Sequence, residues 1–202
     1  MKMKINKEFI LKSILAGFLI AIAGVFYTQV STSTFMGSFL FSLGLISVIV
    51  LEANLYTGKI GYVTKQTIGS TSLMLGINLV TAGLVGFVYH LCVSTNTIMY
   101  YKLAKTIPQI LFDAFVCGVC IFLAVELYKR TKNLLTVILP VMAFILSGAE
   151  HCIADMFYYC AGALSWKGLL FILLVIIGNS AGSLCTRFLI SYLTPQTKRL
   201  VE

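Results

Sequence analysis

The chain reads as an all-α integral membrane protein of six transmembrane helices in two inverted three-helix repeats, with the second and fifth helices broken. Three observations carry this reading. The 202 residues are 59% hydrophobic and 11% charged, with a mean hydropathy of +0.96, against roughly 25% charged residues in a soluble domain. Six apolar runs lie near 9–30, 35–58, 68–93, 108–128, 134–164 and 166–192, each long enough at ~20 residues to cross a hydrocarbon core of ~30 Å. The basic residues, finally, are sorted by side. With both ends cytoplasmic, Lys2, Lys4, Lys7, Lys12, Lys59, Lys65, Lys129, Arg130, Lys132, Arg187, Lys198 and Arg199 fall inside and only Lys102, Lys105 and Lys167 outside. That is the positive-inside bias of a polytopic protein. It accounts for the net charge of +8 without a nucleic-acid partner, leaves lipid as the surroundings, and places the chain in a cell membrane as one transmembrane domain over 1–202.

The first run, "SILAGFLIAIAGVFY" behind a basic start, resembles a signal peptide. No small-residue cleavage site is clear, so an uncleaved first helix is expected. In the second, "GSFLFSLGLISVIVLEANLYTGK", Gly44 with Ser42 and Ser47 interrupts the apolar pattern, and Glu52, Asn54 and Thr57 follow. The third ends at Tyr89 and His90, an interfacial pair. The fourth holds "CGVC" at 117–120, whose spacing is that of a redox pair, although mid-span cysteines more often pack as small hydrophobes. The fifth, about 31 residues at 134–164, is too long for one straight helix and is interrupted by Pro140 and "SGAEH". The sixth opens on Trp166, an interface anchor.

Breaks at the second position of each three-span half are the sequence pointer to a transport site, because irregular backbone at membrane depth must line a cavity or be buried. Glu150, His151 and Asp155 cluster at the second break. Ionisable groups there are costly and face a pathway or a partner. A half-helix starting beside His151 presents free N–H groups suited to an anion. Positions 151 and 155 share a helix face, so Asp155 is expected against the imidazole, raising its basicity. A zinc site on His151, Cys152 and Asp155 is disfavoured because Cys152 points about 100° away. No cofactor or metal is expected.

The motifs resemble those of the formate/nitrite transporter family over essentially the whole chain. "FSLGLI" at 41–46 with "ANLYTG" at 53–58 is similar to its second-span "(D/E)LFTG/S" region. "LPVMAFILSGAEHCIADMF" at 139–157 is similar to "SGxEHSIANMF", and "IIGNSAGS" at 176–183 to "xxGNxxGG". The resemblance implies a homopentamer of six-helix protomers, each with an aquaporin-like pore. By motif, Phe41, Leu45, Leu55 and Phe144 would form apolar constrictions around a central chamber. Thr57 would lie near His151, with Glu150 bracing the broken helices and Asn54 and Asn179 as structural polar contacts. This chain departs from the pattern at Asn54, where the family has an acid, at Asp155, usually Asn, and at Phe122, where a pore-lining Asn is common. Lys105 is the nearest match to a family lysine, one position off when counted from Gly118.

An isolated anion crosses an apolar constriction only at a cost of many kcal/mol. External Lys102, Lys105 and Lys167 would therefore attract a small monovalent anion, and His151 would share or donate a proton to it. The candidates are formate, nitrite, hydrosulfide, acetate and lactate. An anion channel with His151 as a positive field, a neutral-solute channel, and a thiol redox enzyme using Cys117 and Cys120 remain the alternatives.

Overall fold

The computed structural model describes residues 5–30, 33–93, 98–162 and 164–198. Lys2, Lys4 and Arg199 lie outside them. Nine α-helices are seen among the described residues: α1 (Lys7–Gln29), α2 (Thr34–Val50), α3 (Tyr56–Lys59), α4 (Ile68–Cys92), α5 (Ile98–Leu103), α6 (Ile107–Thr131), α7 (Leu135–Leu146), α8 (Cys152–Gly162) and α9 (Trp166–Lys198). Four of them, α1, α4, α6 and residues 166–193 of α9, are long and apolar enough to cross a membrane, while α2 and α7 are shorter apolar helices.

Local chemistry starts the helices where they start. Asn6 caps α1 by accepting the Phe9 N–H at 2.9 Å, and Ser33 caps α2 through Met36. Thr106 and Gln109 form a reciprocal capping box at α6, with Pro108 in its first turn, where a missing N–H costs nothing.

The helix ends around the two breaks are alike in detail. At the end of α2, the Leu51 N–H bonds Ser47 O at 3.0 Å and the Ala53 N–H reaches Val48 O at 2.9 Å. At the end of α7, Ser147 bonds Ala143 O at 3.0 Å and Ala149 reaches Phe144 O at 2.9 Å. Both are Schellman terminations, which need one residue in the left-handed region. Gly148 supplies it at φ 75°, and Glu52 at φ 51°. Neither Gly44 nor Pro140 is a break. Gly44 is buried inside α2, where a Cβ would meet Ala23 Cβ at 2.6 Å, so it serves close packing on α1. Pro140 lies within α7, forgoing one donor in a helix that continues.

Around the breaks, α1 packs on α2 and α4, α6 on α7 and α9, α4 on α8, and α2 on α7. The α1–α4 and α6–α9 crossings are tight for the same reason. A Cβ on Gly17 would fall 2.7 Å from Asn78 O, and one on Gly118 would fall 2.2 Å from Asn179 O. Only glycine admits those approaches.

Candidate functional site: two braced helix breaks between two cavities

Each break leaves peptide groups without helical partners inside an apolar interior, and one asparagine satisfies them. Asn179 of α9 accepts the Cys152 N–H at 3.0 Å and donates to Glu150 O and Ala114 O, both at 2.8 Å. Asn78 of α4 accepts the Tyr56 N–H at 2.9 Å and donates to Asn54 O at 3.0 Å and Ser13 O at 2.7 Å. Both asparagines are fully buried. The sequence reading named Asn179 and missed Asn78. The signal was present: Gly17 with Asn78 and Gly118 with Asn179 have equal spacing.

Asn54 adds its own ties. Its Nδ2 donates to Phe9 O at 3.1 Å, its N–H to Lys12 O at 3.0 Å, and its Oδ1 accepts from Lys59.

The breaks bring Thr57 and His151 together. Thr57, in the first turn of α3, has its Oγ1 2.9 Å from His151 Nε2. His151 immediately precedes α8, and its Nδ1 accepts the Ala154 N–H at 3.2 Å. An N–H pointing at Nδ1 requires a lone pair there, so the neutral ring carries its proton on Nε2 and donates to Thr57. The hydroxyl keeps its own proton for a third group. A second ring proton, on Nδ1, would have to break the Ala154 bond. The ring also stacks on Phe144 at 6.2 Å.

Asp155 does not sit against the imidazole. Both ring nitrogens are taken, and its carboxylate oxygen lies 2.9 Å from Lys102 Nζ. Lys102, from the short α5, inserts between Asp155 and Glu150 and pairs with both. Lys105 bonds Glu150 at 2.6 Å, Asp113 at 2.7 Å and Gly148 O at 2.6 Å. Both of these lysines, expected as free anion lures, are thus held by three carboxylates. Burial alone would lower the basicity of both, but the adjoining carboxylates more than offset it and raise them above the usual lysine value. Neither is a proton donor near neutral pH.

Two cavities lie near the Thr57–His151 pair, one lined by His151 and the other by Leu55 and Gly58 on either side of Thr57 in the sequence. The first, about 300 Å³, is lined by Phe41, Phe144, His151, Glu150, Asp155, Lys102 and Lys105. The second, about 400 Å³, is lined by Leu45, Leu55, Asn54, Glu52 and four lysines, Lys12, Lys59, Lys129 and Lys132. Phe41 and Phe144 meet edge to face at 6.1 Å. Leu45 lies one helical turn from Phe41 and, like Leu55, is fully buried. Phe122 is not free to line a pore. It is fully buried, lies 5.1 Å from the Tyr62 ring and fills the space beside Gly61.

A model of the formate/nitrite transporter family matches residues 2–193. The chain belongs to the formate/nitrite transporter family. The formate channel FocA of Haemophilus influenzae is 27% identical over 189 residues, covering 77% of this chain and 66% of that protein. FocA of Escherichia coli K12 is 30% identical over 178 residues, covering 72% and 62%. The uncharacterized transporter YrhG of Bacillus subtilis is 29% identical over 164 residues, covering 67% and 62%. The chain therefore spans just under two-thirds of the length of these relatives.

Among solved structures, an FNT family ion channel superposes with a TM-score of 0.79 at 19% identity, covering 93% of this chain and 90% of that one. A pentameric formate channel with formate bound superposes at 0.77 and 21% identity, covering 94% and 97%. At those identities the likeness is one of fold. Membership in this family makes the chain a multi-pass membrane protein of a transporter class and removes the thiol-enzyme alternative. Cys117 is fully buried within α6, and both Cys117 and Cys120 are free thiols.

Proposed function

We propose that the chain is a channel or transporter for small monovalent weak-acid anions of the formate class, nitrite included, with proton-coupled or pH-gated passage at His151, working as a homopentamer in the cell membrane with each protomer its own pore. The α2–α3 and α7–α8 pairs are then single broken spans. They complete six spans in two inverted halves, over one transmembrane unit with both termini cytoplasmic. The matched helix ends and the matched asparagine braces support the repeat. The division of lysines between the cavities supports the orientation, with the Lys12, Lys59, Lys129 and Lys132 cavity facing the cytoplasm.

The buried Thr57–His151 hydrogen bond, whose imidazole lines the first cavity with Phe41 and Phe144, carries the reading. A permeant carboxylate crossing Phe41, Phe144, Leu45 and Leu55 sheds most of its water, and uncompensated burial of its charge is prohibitive. The hydroxyl proton of Thr57 is a free donor at that point, and the Nε2–H of His151 becomes one when it leaves Thr57 for the anion. A hydrogen bond from the neutral ring stabilises the anion without transferring a proton. Transfer requires the imidazolium, and hence release of the Ala154 bond, so passage as the neutral acid is tied to movement of the ring.

The test is uptake into proteoliposomes of formate, nitrite, acetate, lactate and hydrosulfide beside an uncharged solute of similar size. Saturable formate or nitrite flux that rises as pH falls supports the reading. Flux of the uncharged solute alone, indifferent to pH, would make this a neutral-solute channel.

A further inference from the structure

The two mouths differ in charge in a way that reverses the expected route of capture. In the His151-side cavity, Lys102 and Lys105 are each in contact with carboxylates, from Glu150, Asp155 and Asp113. Two cations against three acids leave no surplus positive charge for an arriving anion. The opposite cavity has four lysines against Glu52.

Those four lysines are not equally committed. Lys12 pairs with Glu8 at 2.9 Å. Lys129 rests 3.8 Å above the Tyr62 ring and Lys132 5.6 Å above that of Tyr128. The nearby Glu126 is held by Arg130 and Tyr62. Lys59 donates to the neutral Asn54 Oδ1. Among the described residues, Lys59, Lys129 and Lys132 form no ion pair with a carboxylate.

Lys59 has the most telling position. It is half-buried at the last residue of α3, one turn beyond Leu55, and so borders the throat itself. Counted from the two left-handed residues, Glu52 and Gly148, Lys59 occupies the place that Asp155 holds at the other break. The two mouths are therefore charge-inverted at matched positions, a lysine held by an amide at one and a carboxylate holding a lysine at the other.

The structure assigns the Leu45–Leu55 cavity as the anion-binding vestibule of this protein, with Lys59 as its throat ligand for a small monovalent carboxylate or oxyanion. An arriving anion takes the place of the Asn54 amide oxygen on Lys59, exchanging a neutral acceptor for an ionised one. Asp155, by holding Lys102, keeps the other mouth from competing. This inference rests on the anion-channel reading above.

The experiment is radiolabelled formate uptake into right-side-out and inverted membrane vesicles, the latter presenting the Lys59 mouth. From that mouth, Lys59→Gln raises the half-saturating formate concentration roughly three- to fivefold, the scale of one partly exposed ion pair, and Lys59→Arg keeps it near wild type. In wild type, added salt raises half-saturation from the Lys59 mouth more than from the other. If wild type moves no formate from either face, the channel reading itself falls. If wild type moves formate but its half-saturation is insensitive to salt at the Lys59 mouth and unchanged in Lys59→Gln, this inference alone is overturned. Should Lys59→Gln fail to assemble, the wild-type salt dependence still decides.

Discussion

Asn78 and Asn179 each close one helix break with the same three hydrogen bonds: one accepted from the first N–H of a half-helix, one donated to a carbonyl of the break, and one donated to a neighbouring long helix. Each therefore ties three segments together, and neither has a water-exposed alternative. Leaving a buried donor or acceptor unpaired costs about 1–3 kcal/mol. Asn179→Ala and Asn78→Ala should each lower thermal stability in detergent by several degrees or abolish assembly. Asn→Asp at either site should be at least as damaging, because a carboxylate oxygen would then face two carbonyls. Fluorescence-detected size-exclusion after a heat step measures both.

The two helix ends predict opposite responses to glycine. A non-glycine residue in the left-handed region costs about 1 kcal/mol. Glu52→Gly relieves that strain and should raise the melting temperature. Gly148→Ala introduces it and should lower the melting temperature by a comparable amount.

Lys102, Glu150 and Asp155 form one buried cluster, so their substitutions should not add. Lys102→Gln strands the Asp155 carboxylate, while Glu150 keeps Lys105, and should cost about 3–5 kcal/mol. Asp155→Asn leaves Lys102 paired with Glu150 and should cost clearly less. The double variant Lys102→Gln/Asp155→Asn should be more stable than Lys102→Gln alone. Additive losses in a double-mutant cycle would show the contact to be energetically idle.

Much of this was legible in the sequence because it rests on hydropathy and on breakers. The apolar runs and the interruption at 147–150 follow from residues that fit poorly in a straight apolar helix, whereas the nearness of Thr57 to His151 came only from the family resemblance. The pairings were less legible. Spacing places Asp155 beside His151, but the ring nitrogens are occupied by Thr57 and Ala154, and the lysine that Asp155 finds comes from α5, a six-residue helix outside every apolar run. Gly44 and Pro140 read as breaks because glycine and proline disfavour helix interiors in water. In this packed apolar interior, one admits a close helix crossing and the other is carried through.

Thr57 tests the central hydrogen bond without changing charge. Thr57→Ser keeps the hydroxyl and should retain formate flux, whereas Thr57→Val keeps the shape, leaves the Nε2–H unpaired and removes the second donor. A fall in flux of roughly tenfold or more is expected for Val, corresponding to about 1.4 kcal/mol. Flux is measured on protein matched for oligomeric state.

The most direct measurement is formate flux against pH in proteoliposomes carrying wild type or His151→Asn. Asparagine places its Oδ1 where Nδ1 stands and can still accept the Ala154 N–H, so the start of α8 is kept; its amide ends short of the Nε2 position facing Thr57, and it cannot take up a proton. With passage tied to ring protonation, wild-type flux rises as pH falls and exceeds that of His151→Asn at low pH, while the variant tracks only the fraction of formic acid in solution. Superimposable pH profiles of equal magnitude would contradict a role for His151 in moving the anion.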